Sequence, residues 1–325
     1  MTRIAVVEGD GIGREVIPVA QKALFLLHPE YEYFPVDVGY GRWEETGCPC
    51  GDTDIAALKT ADAVLFGAIT TPPVKDYQSV VLRIRKALDL YANLRPVKGT
   101  GFDIMIVREN TEGLYSGIEE RGPDRATTLR VVTRAGTERI ARAAIRCAQQ
   151  RQGRLTIGHK ANVLKSDVFF RDICAEEAKK AGVPYNEKFI DALGLDVLQH
   201  PQAYDVIVTT NIFGDILSDV ASYLVGGLGL VPSANIGDRY ALFEPVHGSA
   251  PDIAGKDIAN PVAALRSAAM LLAHLGDTGG AGRIESAIQH VLASGIKTRD
   301  LGGSAGTRAF GNAVLALLET GQSGC

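Results

Sequence analysis

The fold is decided by the stretch Ile4-Ala5-Val6-Val7-Glu8-Gly9-Asp10-Gly11-Ile12-Gly13. Its first four residues are a short apolar run rich in β-branched side chains, and the glycines that follow are typical of a tight loop. From Arg14 to Leu27 the apolar residues then recur at helical spacing. This order of strand, glycine loop and helix is the unit from which parallel sheets are built.

The same order recurs further along the chain. An apolar run at residues 63–67 leads through a Thr/Pro loop into a helix that reaches Lys86, and the run at 205–209 leads into a helix near Ile216. Residues 260–275 and 284–292 predict buried helices. We therefore predict an α/β protein with a largely parallel sheet, and residues 116–133, which are polar and strand-like, as a protruding arm.

Length and composition favour two domains and a small-molecule partner. The chain has 325 residues, of which 46% are hydrophobic, and it contains no Gly/Ser linker, so we expect it to cross between two domains and return. The formal charge of -4 includes no basic block, which argues against nucleic acid or an anionic membrane as partner. No signal peptide or membrane span is evident, so a cytoplasmic location is expected. The five cysteines are scattered and are interpreted as ordinary thiols.

Two acids in the segment Asn211–Asp219 are candidates for a metal site. Asp215 and Asp219 are four residues apart, so on a helix both carboxylates lie on one face and repel each other unless a cation is present. Spacing alone leaves a solvated face as the alternative. The neighbouring residues in the sequence are mostly apolar and offer the acids few polar partners. Carboxylate oxygens are suitable ligands for Mg²⁺ or Mn²⁺.

Three arginines are candidates for binding a polyanionic substrate. Arg85, Arg95 and Arg108 lie at the ends of segments that converge if residues 82–94 form a helix that feeds a strand. Arginine binds carboxylates through two parallel hydrogen bonds. For each arginine taken singly, the alternative is a surface position where its stem covers apolar neighbours.

The glycine loop at residues 8–13 does not have the spacing of a dinucleotide-binding Rossmann fingerprint. It lacks the Gly-x-Gly-x-x-Gly pattern, and no strand ending in an acid follows at the expected distance. A second candidate for a nucleotide loop is residues 244–255, whose glycines and prolines hold an irregular backbone. On its own this segment is equally compatible with a tight turn, and His247 with an ordinary packed histidine.

Taken together, these segments resemble the β-decarboxylating dehydrogenases, which act on isocitrate, isopropylmalate and homoisocitrate, and the archaeal members most of all. The segments that carry the resemblance are Glu8–Gly13, Leu88–Pro96, Val107–Tyr115, His159–Leu164, Asn211–Asp219 and Gly226–Gly255. The resemblance implies that family's own doubly wound α/β fold, not a Rossmann fold, with an active-site cleft between two domains. It implies a large NAD-binding domain from residues 1–90 and 227–325. A small domain, residues 91–226, would carry the dimerisation arm, the metal ligands and the catalytic residues.

The resemblance also implies a role for each candidate residue. Tyr115 and Lys160 would be the catalytic residues, with Lys160 as the base and Tyr115 as the proton donor to C3. Substrate would be bound by Ser79, Arg85, Arg95, Arg108 and Asn162. NAD would be bound by Ile12, Thr70, Glu244, His247, Gly248, Ala250, Asp252 and Asn260. Mg²⁺ or Mn²⁺ would be bound by Asp191, Asp215 and Asp219. Lys160 and Asp191 would enter the site from the neighbouring subunit, which implies a homodimer, or a tetramer of such dimers.

The expected reaction is oxidative decarboxylation of a 3-substituted malate with NAD⁺. The Asp252 carboxylate accepts hydrogen bonds from ribose hydroxyls and repels a 2′-phosphate, and NADP-using relatives are expected to have Lys-Tyr in place of Asp252-Ile253.

The signals for the C3 substituent conflict. Ser79 resembles the serine of isocitrate-type enzymes, whereas Val81 and Leu82 suit isopropylmalate. Residues 66–79 look most like archaeal homoisocitrate dehydrogenases. We expect homoisocitrate or 3-isopropylmalate as substrate, with isocitrate as the alternative. Less favoured are a tartrate- or malate-type enzyme and a non-catalytic regulatory subunit, which would be expected to lack some of the catalytic and metal residues present here.

Overall fold

The structure is a computed structural model that describes residues 1–74 and 77–321. Contacts divide the chain into two compact units. Unit 1 consists of Met1–Leu88, Gly226–Ala234 and Asp238–Cys325, and unit 2 of Asp89–Val225 and Asn235–Gly237. The predicted domains, residues 1–90 with 227–325 and residues 91–226, and the functions predicted for them stay predictions.

The strands of the described chain are β1 (Arg3–Val7), β2 (Glu32–Pro35), β3 (Ala63–Phe66), β4 (Ala92–Gly99), β5 (Phe102–Glu109), β6 (Glu119–Arg121), β7 (Ala126–Thr128), β8 (Leu155–His159), β9 (Tyr185–Phe189), β10 (Val206–Thr209), β11 (Pro232–Ile236) and β12 (Ala241–Pro245). The α-helices are α1 (Gly13–Leu27), α2 (Tyr40–Thr46), α3 (Asp52–Leu58), α4 (Val80–Ala87), α5 (Arg134–Gln149), α6 (Lys165–Lys180), α7 (Ile190–Gln199), α8 (Asn211–Ser222), α9 (Val262–His274), α10 (Thr278–Ala293) and α11 (Thr307–Glu319).

Unit 1 contains parallel strands in the order β2-β1-β3-β12. The apolar residues of β1 are buried by neighbouring elements. Helix α1 buries an apolar face at helical spacing, formed by Val16, Ile17, Ala20 and Leu24. Strand β12 comes from the last third of the chain and pairs with β3, with Leu242 opposite Val64. Unit 1 is therefore built from both ends of the sequence.

The glycine loop between β1 and α1 packs directly against a distant segment of unit 1. Gly11 has φ of +56°, and a Cβ atom there would lie 2.0 Å from the backbone oxygen of Ser249. The next residue, Ile12, donates its N–H to that same oxygen at 2.9 Å. Only glycine satisfies both the left-handed backbone and the close approach.

Unit 2 contains strands in the order β4-β5-β10-β8-β9, of which β4 and β5 are antiparallel and the remaining pairs parallel. Helices α5 and α6 bury Ile140, Ala144 and Phe170 in a core that includes Val107 and Ile157. The segment predicted as an arm contains a two-stranded antiparallel hairpin of β6 and β7, whose residues are exposed. The predicted strand character of this segment is confirmed.

One predicted element is shorter than expected. The helix predicted over residues 82–94 ends at Ala87, and β4 begins at Ala92. Asp89, between them, has φ of +48°, a left-handed conformation that an α-helix does not contain. The chain therefore turns before Arg95, which lies in a strand.

Two further expectations concern cysteines and membrane association. Cys48, Cys50, Cys147 and Cys174 are free thiols, as predicted, and Cys325 lies outside the described residues. Within the two described ranges, no helix has both the length and the apolar character that crossing a bilayer requires.

Candidate active site

The acid pair of unit 2 lies on α8, as the four-residue spacing predicts. Asp215 and Asp219 project from one face of this helix, and both remain partly exposed, whereas Leu217 and Ala221 are buried. Gly214 allows α8 to approach β5, because a Cβ atom there would lie 2.7 Å from the side-chain carbons of Arg108. The helix therefore presents Asp215 directly to the arginines of the sheet.

Two of the three predicted arginines converge on these acids. Arg95 contacts Asp215 at 3.1 Å and Asp219 at 3.4 Å, and Arg108 also forms an ion pair with Asp215. Both guanidinium groups are buried, and the Arg108 side chain is only 2% exposed. Burial raises the pKa of the Asp219 carboxyl, and the charge of Arg95 opposes that rise.

Neutral side chains fix the orientation of both guanidinium groups. Arg95 donates to Asn93 at 2.7 Å and to Ser218 at 2.6 Å. Arg108 donates from two nitrogens to Asn211 Oδ1, at 3.2 Å and 2.8 Å. These neutral partners were not predicted from the sequence. A signal was present for two of them, since Asn211 and Ser218 are four residues before and three residues after Asp215 and so share its helix face.

Tyr115 joins the same cluster. Its hydroxyl donates to Asp215 Oδ2 at 3.0 Å, and the Arg108 guanidinium lies 5.4 Å from its ring centroid. Asp215 therefore accepts contacts from two arginines and a tyrosine. The structure thus brings together four predicted residues of unit 2 besides Asp219, namely Arg95, Arg108, Tyr115 and Asp215.

The third predicted metal ligand lies elsewhere in unit 2. Asp191, in the first turn of α7, accepts a hydrogen bond from Lys160 Nζ at 2.6 Å, and this bond lowers the pKa of the Asp191 carboxyl. Asn162 is an exposed residue two positions after Lys160. Among residues 1–74 and 77–321, no three His, Cys, Asp or Glu side chains group closely enough to hold a metal. The predicted trio is therefore not assembled within one chain.

The remaining substrate candidates lie in unit 1. Ser79 caps α4 by accepting the Leu82 N–H at 3.4 Å. Arg85 donates to Glu244 at 3.2 Å, and its buried Nε atom has no hydrogen-bond partner among the described residues. The convergence of Arg85 with Arg95 and Arg108 stays a prediction. Lys75 and Asp76, within the loop compared with the archaeal enzymes, lie outside the described residues.

Several predicted NAD contacts are neighbours within unit 1, and Ser249 connects them. It accepts the Ile12 N–H through its backbone oxygen, and its hydroxyl accepts from Thr70 at 2.7 Å. The next residue, Ala250, has φ of +40°, and Asp252 is exposed on the short turn that follows. Gly248, which precedes Ser249, is also exposed. Ser249 was not among the residues predicted from the sequence.

Two polar side chains near this loop differ in how fully they are paired. The amide of Asn260 is engaged on both sides, since it donates to Asp300 at 2.9 Å and accepts from the Val262 N–H at 3.0 Å. The Nε2 atom of His247 is buried and has no partner in the described part of the chain. Burial lowers the pKa of this imidazole, so the ring is neutral at pH 7. An unpaired buried ring nitrogen of this kind fits a polar ligand group.

The chain is similar in sequence and in fold to proteins of one known family. Residues 3–314 match the family described as isocitrate/isopropylmalate dehydrogenase. The chain is 46% identical over 330 residues to an isocitrate/homoisocitrate dehydrogenase of Thermus thermophilus, covering 98% of this chain and 99% of that protein. It is also 46% identical over 331 residues to a 3-isopropylmalate dehydrogenase of Archaeoglobus fulgidus, covering 98% and 100%. The crystal structure of an isocitrate dehydrogenase from Methylococcus capsulatus is similar with a TM-score of 0.93 at 39% identity, covering 98% and 100%.

The two acids of α8 make unequal contacts and should therefore contribute unequally to stability. With a chelator present, Asp215→Asn should lower the free energy of unfolding by roughly 1–3 kcal/mol, because Arg108 would stay buried without its charged partner. Asp219→Asn should lower it by less than about 1 kcal/mol, because its one arginine contact is long and half exposed. Urea denaturation of the two variants measures the difference. Equal losses would contradict the assignment of Asp215 as the main partner of the buried arginines.

Proposed function

The chain belongs to the isocitrate/isopropylmalate dehydrogenase family, and on this premise we propose that it catalyses the NAD⁺-dependent oxidative decarboxylation of a 3-substituted malate. The members compared above are dehydrogenases, and so is this enzyme. The proposed substrate is homoisocitrate or 3-isopropylmalate, with isocitrate as the alternative. The observation that carries the proposal is the cluster on α8, where Asp215 is surrounded by Arg95, Arg108 and Tyr115.

The acid pair fits a hard divalent cation. Asp215 and Asp219 offer carboxylate oxygens from one helix face, and both are partly accessible. Asp191 of the partner subunit would complete the ligand set, which agrees with the absence of a three-acid group among the residues described in one chain. The bound groups would supply the charge that lowers the pKa of the substrate C2 hydroxyl and the nicotinamide that accepts a hydride.

The two arginines would exchange one anionic partner for another. They now neutralise Asp215, whose oxygens would be needed for the cation. Substrate carboxylates would then take over the guanidinium groups, which Asn93, Ser218 and Asn211 already hold in orientation. Because the two arginine side chains need little reorientation, they lose less conformational entropy on substrate binding than freely rotating arginines would.

Proton transfer is assigned to Lys160 and Tyr115. Lys160 Nζ donates to Asp191, and in its neutral amine form it would be the base that receives the proton of the substrate C2 hydroxyl. The Tyr115 hydroxyl is held by Asp215 and would deliver a proton to C3 after CO₂ has left. Both groups are held by a carboxylate that belongs to the proposed metal site.

A homodimer with shared active sites is supported by the distribution of exposed apolar side chains. Eight of the twelve large apolar side chains exposed in the described chain lie between residues 118 and 223 of unit 2. They are Ile118, Leu129, Val163, Phe169, Phe189, Leu195, Ile216 and Tyr223. Burial of these side chains against a second copy of the chain would remove apolar surface from water, which favours association through unit 2.

The function is tested by a panel of substrates. Purified protein with Mg²⁺ and NAD⁺ should form NADH and CO₂ from homoisocitrate, 3-isopropylmalate or isocitrate, and kcat/KM should be highest for one of the first two. Val81 and Leu82, which are half-buried, favour a substituent that includes apolar carbons. A highest kcat/KM for isocitrate would establish the alternative, and no turnover of any 3-substituted malate would refute the proposal.

Cofactor choice is tested at the exposed turn that carries Asp252. Its carboxylate is placed in solvent, where it would repel a 2′-phosphate and accept hydrogen bonds from ribose hydroxyls. The double substitution Asp252→Lys with Ile253→Tyr should raise the NADP⁺/NAD⁺ ratio of kcat/KM by at least about tenfold, because a repulsion becomes an attraction. An unchanged ratio would remove Asp252 from cofactor recognition.

Sharing of active sites is tested with hybrid dimers. The two parent homodimers, Lys160→Met and Asp219→Asn, should both be inactive. A dimer of one chain of each kind should recover about half of the wild-type activity, because one of its two sites then has both groups intact. Tandem affinity purification of differently tagged chains isolates the hybrid. A hybrid as inactive as its parents would show that Lys160 and Asp219 of the same chain act together.

A further inference from the structure

Next to the proposed catalytic lysine, unit 2 contains a fully buried carboxylate that the proposed reaction does not use. The side chain of Asp167, in the first turn of α6, is 0% exposed. One of its oxygens accepts the backbone N–H of Lys160 at 2.6 Å, and the other is paired with Arg130. A buried carboxylate is costly unless it is paired and hydrogen-bonded, so this position is tightly specified.

Arg130 extends the connection beyond Asp167. Its guanidinium donates to Thr210 Oγ1 at 2.9 Å and to Ser166 Oγ at 2.8 Å, and it lies 5.2 Å from the ring centroid of Phe213. Thr210 immediately precedes α8, and Phe213 lies in its first turn. The Arg130 guanidinium therefore links Asp167, which holds the backbone of Lys160, to the start of α8, the helix that carries the acid pair.

The backbone beside Arg130 reaches a third catalytic segment. Val131 and Gly113 exchange two backbone hydrogen bonds, at 2.8 Å and 3.2 Å. Gly113 is two residues before Tyr115. The segments of Lys160, α8 and Tyr115 are thus attached to one another around a single buried ion pair.

We propose that Arg130 and Asp167 are positioning residues that hold Lys160 in fixed register with α8 and Tyr115. The inference rests on the proposed function. In a dimer with shared sites, Lys160 serves the partner's active site, whereas α8 and Tyr115 serve the site of their own chain. The Arg130–Asp167 pair would then connect half of one active site to half of the other. Its loss should impair the chemical step more than the binding of cofactor.

Unit 2 offers a matched control, because it contains a second buried ion pair of the same design. The side chain of Asp205 is 0% exposed, pairs with Arg151 at 2.9 Å and accepts the backbone N–H groups of Gln152 and Arg154 at 3.0 Å and 3.1 Å. Asp205 precedes β10, whereas Thr210 follows it. The two ion pairs therefore lie at opposite ends of one strand. Arg151 also bonds Asp103 near the start of β5 at 2.7 Å, whereas the Arg130 pair contacts the backbone of Lys160 and the hydroxyl of Thr210 at the start of α8.

The test compares Arg130→Met with Arg151→Met in the full-length enzyme, with the substrate that the panel identifies. Both variants should melt at a lower temperature than wild type. Below both melting temperatures, Arg130→Met should lower kcat by about 10- to 100-fold while the KM for NAD⁺ changes less than about twofold, because small misplacements of a reacting group are costly. Arg151→Met should retain wild-type kcat. Arg130→Lys, which restores the charge, should recover part of the lost kcat.

Each other outcome overturns the inference. If Arg130→Met keeps wild-type kcat, or if Arg151→Met loses as much kcat as Arg130→Met, the Arg130–Asp167 pair contributes to stability but does not position Lys160. If Arg130→Met does not fold, Arg130→Lys decides. Lysine keeps the charge but not the forked contacts to Ser166 and Thr210, so a wild-type kcat in that variant would show that these contacts do not position Lys160. Failure of the proposed function is distinct, because the wild-type enzyme would then turn over no 3-substituted malate.

Discussion

The pairing of two buried guanidinium groups with one carboxylate is the interaction on which the proposed site depends. Arg95 and Arg108 come from adjacent antiparallel strands, and a buried cation requires a partner whatever its later function. Asp215 supplies it, because Gly214 lets α8 approach β5 closely enough. The requirements of folding and of the proposed substrate binding therefore select the same charges at the same place.

This arrangement also explains why the cluster is stable before any ligand binds. Two cations face two anions, and neutral amide and hydroxyl groups hold the cations in orientation. A cation bound to the acids and a polyanionic substrate bound to the arginines would preserve that balance of charge. Binding would then exchange partners without leaving an isolated charge in a poorly solvated place.

The sequence predicted much of the fold and the acid pair, and it failed where the outcome depended on a single backbone angle or on distant packing. The helix at α1 and the helix face of Asp215 and Asp219 follow from periodicity, which is a local property. The end of α4 does not, because it is determined by the left-handed conformation of Asp89. Ser249 and Asp167 were not singled out, because their importance comes from contacts with residues 12 and 160, and a single sequence does not show such pairings.

The composition of unit 1 has a consequence for the order in which the protein is made. Strand β3 leaves the ribosome more than 170 residues before its partner β12, which follows the whole continuous stretch of unit 2 from Asp89 to Val225. Until then one edge of β3 has no strand to pair with, and an apolar edge of that kind is prone to aggregate. Most of unit 2 can fold before β12 is made, whereas unit 1 cannot close until β12 has emerged. The nascent chain is therefore exposed to aggregation at β3 until β12 emerges.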